Sequence, residues 1–457
     1  MWWLNLGIPA YLGGRYLLNG FVENRRRLQL WKDATAQHKL TEVKSSGFWD
    51  WRARLTARSE PVEVRITAGR GRGRQVEVEV EGPEGFPGVK LRRRFFQLRA
   101  RGVKTGDQAF DDAYFVEGPD WSVGALLDGP TRRLLLRAAV LFSAFELDGG
   151  RLRVEVPEEA LSRALPLLLD VGRRLAGPVD MERQIVRNAR KDRESKVRLI
   201  NLLLLIRDRP GAPDTMKALH LACSDPSPKV RVQAAIELGE EGHGVLLKLL
   251  EKSKNDAACA RAVSHLGSKL PFERARDVLS RSLRKGLVQT ARACVETLGH
   301  RRAAGIGILA RVMEEQTGEL ATAAALALGT TGEAAAEPPL LQALQSEDNG
   351  LREAAAAALG RAGSVAAVQS LQDAAERFWL DLSFRQAARQ AVAEIQSRVE
   401  GASPGQLSLA EGEAGQLSLA SSEAGQLSLA QAEAAQAKAA QAVAGRTERE
   451  EPAGRPN

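Results

Sequence analysis

Five Leu-Gly pairs, Leu238-Gly239, Leu266-Gly267, Leu298-Gly299, Leu328-Gly329 and Leu359-Gly360, recur at intervals of 28, 32, 30 and 31 residues. A period of this size marks stacked supersecondary units, none of which can bury its apolar face without a neighbour. Aligned on the pairs, Leu205-Ile206 takes the slot upstream and Val392-Ala393 the slot downstream, giving seven units. Each reads as a helix, a short turn and a second helix, as in the runs 230–239 and 351–360. The alanines let neighbouring helices approach closely, and the glycine of each pair is expected to end its helix at positive φ. The predicted fold is mainly α: a right-handed α-solenoid of about seven helical hairpins over residues 177–400. Such an architecture offers a surface for holding something and implies no reaction.

The turn before the second helix carries the most specific wording. Asp225-Pro226-Ser227-Pro228-Lys229-Val230-Arg231 sets an acid, two prolines that stop one helix, and an arginine at the start of the next. Related wording occurs in 192–198 and 347–352. Together with R-x-x-A-A-x-x-L-G, these turns resemble the HEAT repeat family over about residues 180–398. The resemblance implies an Asp/Arg ladder between repeats, so Asp225, Arg231, Asp348 and Arg352 are expected to be structural. The units around Asn255 to Cys259 and Gly286 to Thr290 lack both the Asp-Pro turn and the arginine, leaving their stacking less determined.

Residues 1–40 form an apolar and then basic arm. Its first 23 residues carry Arg15, Asn5, Asn19 and Pro9 within the apolar window, which disfavours a spanning helix and suits a packed or membrane-surface segment. Residues 41–176 read as a small α+β domain. Alternation in Val62 to Ile66 and Val76 to Val80 predicts a hairpin, joined by a Gly/Arg-rich loop (68–74) whose alternating glycines do not make a nucleotide-binding spacing. A helix is expected over about 122–143, a hairpin across Asp148-Gly149-Gly150, and a second helix from Pro157 to about 175. The run T-G-D-x-x-F-D-D-x-x-F-V-x-G (105–118) with the following helix and hairpin resembles a bacterial domain of unknown function, which implies a fold and no activity. Asp107, Asp111 and Asp112 raise the question of metal or acid/base chemistry, but lack the companion residues of a calcium loop; turn and capping roles are expected.

Net charge is +8, from 65 Lys+Arg and 57 Asp+Glu, too little by itself to imply nucleic acid. It is unevenly spread, however. Residues 181–311 hold 26 basic against 14 acidic side chains, and residues 312–400 hold 6 against 13. The densest basic stretch, Arg274, Arg276, Arg281, Arg284, Lys285, Arg292, Arg301 and Arg302, is the candidate partner-binding patch. Solvated helix faces, an acidic protein surface and nucleic acid all fit it. The last lacks stacking rings, since Phe272 is the only aromatic between residues 181 and 377. The pair His220 and Cys223 shares a helical face but falls short of a four-ligand zinc site, and no nucleophile, base and orienting group assemble. Three scattered cysteines give no disulfide framework and fit a reducing compartment. The tail, 401–457, repeats G-Q-L-S-L-A at a period of ten and is expected to be disordered; partner avidity and replication slippage both explain the repetition. The expectation is a non-enzymatic, cytoplasmic protein-binding scaffold without cofactor, metal or small-molecule substrate, with nucleic acid as the alternative partner and membrane-surface contact through residues 1–23 as a further one.

Overall fold

A computed structural model describes residues 22–46, 53–69, 75–82, 88–94, 102–142, 144–148, 150–176 and 179–398, with the backbone of 407–409 and 417–419. By internal packing the chain divides into two compact units, Met1–Val245 and Leu246–Asn457.

The first unit begins, among described residues, with a helix over 22–37 (α1). Eight strands follow in one antiparallel sheet: β1 (Thr41–Ser45), β2 (Arg54–Ser59), β3 (Val62–Ala68), β4 (Gln75–Glu81), β5 (Lys90–Arg93), β6 (Tyr114–Glu117), β7 (Ala144–Asp148) and β8 (Arg151–Pro157), in the order β1-β2-β3-β4-β8-β7-β5-β6. The predicted hairpins form as β3/β4, with Val64 opposite Val80 and Ile66 opposite Val78, and as β7/β8. Their period of two works as expected: Val62, Val64, Ile66, Val76, Val78 and Val80 are fully buried. The alternate residues carry cross-strand ion pairs such as Arg65–Glu79 (3.0 Å) and Arg153–Glu77 (2.9 Å). Helix α5 (Leu161–Ala176) covers the apolar face, entered through a 3₁₀ turn at Glu158–Ala160. Gly172 makes that contact close, because a Cβ there would lie 2.6 Å from Val80 Cγ1. The basic part of the arm belongs to this core as well: Trp31 of α1 is fully buried, and its indole N–H donates to Glu158 (3.0 Å), which also pairs with Arg27 (3.1 Å). Residues 1–21 and the loop 70–74 lie outside the described residues, and with them most of the membrane-surface and Gly/Arg-loop expectations.

One predicted helix is corrected. The stretch 122–143 breaks into α3 (Asp120–Leu126) and α4 (Gly129–Leu141). Asp128 caps the second, accepting from Thr131 N–H (2.9 Å), and Pro130 sits in its first turn, where a missing N–H costs nothing. Between β5 and β6 lies the short α2 (Gln108–Ala113).

The repeat array supplies seven hairpins among the described residues: α6/α7 (Met181–Lys191, Ser195–Asp208), α8/α9 (Pro213–Ala222, Pro228–Glu237), α10/α11 (His243–Lys252, Asp256–Leu266), α12/α13 (Phe272–Lys285, Val288–Gly299), α14/α15 (Ala303–Glu315, Glu319–Thr331), α16/α17 (Glu337–Ala343, Asn349–Ala362) and α18/α19 (Ala367–Arg377, Leu382–Ser397). In the second unit the second helices α11, α13, α15, α17 and α19 pack successively on one another. No described helix is long and apolar enough to cross a membrane. Two tail triplets, Leu407–Leu409 and Leu417–Leu419, pair as antiparallel strands, a local departure from the coil expected there that follows their Leu-Ser-Leu alternation; the rest of the tail lies outside the described residues.

The glycine of the Leu-Gly pair does two jobs, only one of them expected. Gly239 and Gly267 stand at helix ends with φ of +59° and +48°, and a Cβ at either would meet nothing within 4 Å. Gly299, Gly329 and Gly360 instead lie within second helices, where the next second helix crosses. A Cβ on Gly329 would lie 2.6 Å from Ala358 Cα, and one on Gly360 3.0 Å from Ala391 Cα. Close approach, not positive φ, requires glycine at these three.

Candidate interaction surface

The expected ladder between repeats forms only in part: of the four residues read for it, Asp225 and Arg352 bond a neighbouring hairpin, whereas Arg231 and Asp348 stay within their own turns. Arg198, at the start of α7, donates twice to Asp225 in the next hairpin's turn (2.7 and 2.8 Å), and both side chains are nearly buried. Hydrogen bonding to Asp225 raises the guanidinium pKa of Arg198 above its usual value. Arg231 donates to the carbonyls of Asp225 (2.6 Å) and Pro226 (3.1 Å) in its own turn. In the second unit Asp348 caps α17 through Gly350 and Leu351 N–H, and Arg352 reaches Asp381 of the last hairpin (2.9 Å). Where the Asp-Pro turn is missing, another device replaces it. Leu287 precedes α13 and cannot cap it, so Asp256 of the preceding hairpin accepts from Gln289 N–H (3.0 Å), Thr290 N–H (2.7 Å) and Thr290 O–H (2.7 Å).

The ladder has a rung outside the repeats. Arg132, 2% exposed at the start of α4, donates to Asp192 in the α6/α7 turn (3.0 and 3.1 Å), to Asp107 (2.9 Å) and to the Leu127 carbonyl (2.7 Å). Ala125 of α3 is buried in the same apolar cluster as Ile185, Leu202 and Leu205, with Trp121 packed beside it. Helix α3 thus packs on α6 and α7 as a preceding repeat would, and Arg132 of α4 supplies the rung. This also answers for the acidic cluster. Asp107 caps α2 and holds Arg132, Asp111 accepts from Thr105 N–H (2.9 Å), Thr105 O–H (2.8 Å) and Gly106 N–H (3.1 Å), and Asp112 accepts from Gln108 (2.9 Å). Their oxygens are engaged by protein donors, as capping and turn roles require.

The eight residues of the basic patch do not form a free cationic surface. Arg274 pairs with Glu251, Arg276 with Glu273 (2.6 Å) and Arg292 with Glu296 (3.0 Å). Arg281 donates to the carbonyls of Leu250 (2.8 Å) and Glu251 (2.7 Å), and Arg301 to those of Ser268 (2.7 Å) and Leu270. The side chains of Arg284, Lys285 and Arg302 are exposed and make no hydrogen bond or ion pair among the described residues. His220 lies 3.7 Å from Glu241, and no group of three potential metal ligands occurs among the described residues. All three cysteines are free thiols; burial, with Cys259 nearby, pushes Cys294 up to about 12.

A different surface emerges further along the second unit. A groove of about 560 Å³ runs over the second helices, lined by Arg292 and Glu296 of α13, Thr322 and Leu326 of α15, and Asp348 and Arg361 at either end of α17. Leu326 of this lining is 37% exposed. The α18/α19 turn neighbours the α16/α17 turn, tied by Arg352–Asp381 and by Arg377 donating to Gln345 (2.7 Å). It presents Trp379, Leu380 and Leu382, which are 64%, 75% and 74% exposed. The turn beneath them is firmly held. Arg352 lies 3.9 Å from the Phe378 ring centroid, Phe378 and Phe384 meet edge to face at 6.0 Å, and Asp381 caps α19 through Phe384 N–H (3.0 Å). The Phe384 N–H, then the Ser383 hydroxyl and Arg352, keep the Asp381 carboxyl below its usual range. Sequence reasoning passed over this knob; its signal was Trp379-Leu380-Asp381-Leu382, apolar residues in a turn slot that other repeats fill with Asp, Pro, Ser and Asn.

A profile described as HEAT repeats matches residues 307–393, from α14 to α19. The array is a HEAT-like helical repeat. No curated protein matches the chain. Among solved structures, human deoxyhypusine hydroxylase in complex with glycerol is similar at 16% identity, over 48% of this chain and 96% of that one, with a TM-score of 0.22. A likeness of that score transfers no residue's role.

Proposed function

We propose that the protein is a non-enzymatic scaffold whose second unit holds a protein partner along the groove over α13, α15 and α17, anchored by the Trp379–Leu382 knob. HEAT repeats are commonly protein-interaction scaffolds. The observation that carries the reading is the knob: three large apolar side chains exposed together on a turn locked from below. Exposed apolar clusters mark interaction sites, and tryptophan is enriched among the residues that anchor protein interfaces. Nucleic acid is disfavoured because five of the eight basic side chains already serve internal carboxylates or carbonyls. The three scattered cysteines offer no disulfide framework in the sequence, which is the ground for placing the protein in a reducing compartment. Affinity purification with the full chain should retain a partner that Trp379→Ala and Leu382→Glu lose and that Arg284→Glu with Lys285→Glu keeps. DNA retained at low salt and lost in the Arg284/Lys285 variant would reverse the assignment.

A further inference from the structure

Three helices of the first unit, α1, α4 and α5, bury Trp31, Leu135 and Leu165 in one core with the strands. The sheet has a single apolar face, so all three helices lie on it and their outer sides form a surface of their own. α1 meets α5 where Ser162 donates to Gln37 (2.7 Å), and α4 meets it where Arg174 donates to Thr131 (2.7 Å). That outer surface is basic and apolar at once. On α4, Arg133, Arg137, Val140 and Leu141 fall at i, i+4, i+7 and i+8 and share one side of the helix. Both arginines are exposed, and Val140 and Leu141 are 86% and 58% exposed. α1 turns Trp31 and Ala34 inward, leaving Arg25, Arg26 and Val22 outside, the last 68% exposed. Arg25, Arg26, Arg133, Arg137 and, on α5, Arg163 make no hydrogen bond or ion pair among the described residues. Carboxylates do not offset them: Asp170 pairs with Arg173 (3.8 Å), Asp33 accepts from Gln29 (3.0 Å), and Glu159, at the entry to α5, is the exposed one left over among the described residues. The opposite face of the sheet differs in kind, since its arginines are matched across strands. Unmatched arginines select an anionic partner. Exposed aliphatic side chains on the same side of a helix select one with an apolar layer in reach, which a headgroup region has and a phosphate backbone lacks. Residues 1–21, which run into Val22, add Trp2, Trp3, Tyr11 and Tyr16 in an apolar sequence, and such aromatics are enriched at headgroup depth.

We propose that the helical face of the first unit docks on an anionic lipid bilayer, with Arg25, Arg26, Arg133 and Arg137 against the headgroups and Val140 and Leu141 inserted among them. Flotation of the full-length protein with vesicles of phosphatidylcholine alone, or of phosphatidylcholine with an equal share of phosphatidylglycerol, tests it. Binding should appear with the anionic vesicles, fall as salt rises, and be slight with phosphatidylcholine. An arginine at an anionic surface confers about fivefold, so Arg133→Glu with Arg137→Glu should weaken partition by at least about 25-fold. Val140→Gln with Leu141→Gln should weaken it by about tenfold, the effect of withdrawing roughly one aliphatic side chain from an apolar layer. Arg284→Glu with Lys285→Glu, in the second unit, should leave it unchanged. All four α4 positions are exposed, so melts followed by circular dichroism should match the wild type. No binding to the anionic vesicles, equal binding to both kinds, or partition that survives either α4 change would overturn the proposal. So would duplex DNA that displaces the vesicles and whose own binding is untouched by the Val140/Leu141 change.

Discussion

Arg198 and Asp225 show what a rung of the ladder is worth and why it must be read as a pair. Both side chains are at most 10% exposed, so truncating one strands the other's charge away from water. Arg198→Ala should therefore cost about 3–5 kcal/mol in urea unfolding, and Arg198→Met with Asp225→Leu should cost clearly less than the single change, because an apolar pair of similar volume leaves no bare charge. A double variant no more stable than the single would show that the rung is not an ion-pair device. Asp128 adds a pH term. Burial raises its pKa, but hydrogen bonds from Arg174 and Thr131 outweigh that and hold the carboxyl below its usual range. Its contribution is thus complete above the unfolded value of about 3.9 and is lost as pH falls through the lower folded value. Thermal melts between about pH 5 and pH 2.5 should show a shallower acid loss for Asp128→Asn than for the wild type; parallel curves would contradict it.

Among elements, the glycines make the sharpest distinction. At Gly239, where nothing lies within 4 Å, Ala and Leu should each cost about 1–2 kcal/mol through positive φ alone, nearly independent of side-chain size. At Gly329, Ala should cost about 1–3 kcal/mol by forcing α15 off α17, and Leu far more. Chemical denaturation of the four variants checks this, and size-independence at Gly329 would contradict close packing. The same dipeptide at the same period made seven hairpins legible in the sequence, yet it could not separate the two roles, which depend on whether a neighbouring helix closes on the glycine. The strand alternation in β3, β4 and β8 was equally readable. The break at Asp128-Gly129-Pro130 was present as a cap and an N-terminal proline but was masked by the Leu/Arg run around it. Arg132 was illegible as a rung because its partner Asp192 lies 60 residues away in another kind of structure. Of the basic patch, the partners of Arg276 and Arg292 stand three and four residues away and could have been read. The carbonyls that bind Arg281 and Arg301 come from the preceding hairpin, and only the fold brings them in reach.

At the scale of the whole molecule, the chain joins a sheet-based domain to a HEAT-like array through a buried Arg132–Asp192 contact that imitates the array's own ladder. Charge changes sign along the array, and the apolar knob falls in the acidic part. A partner anchored there is selected by shape and apolar contact more than by phosphate attraction. The decisive measurement is site-specific photo-crosslinking from positions 326 and 379, with position 284 as comparison, in extract from the native host. One recurrent protein adduct is expected from 326 and 379, competed by unlabelled wild-type chain and uncompeted by the Trp379→Ala/Leu382→Glu variant. Adducts only from 284, or adducts to nucleic acid at any of the three, would contradict it.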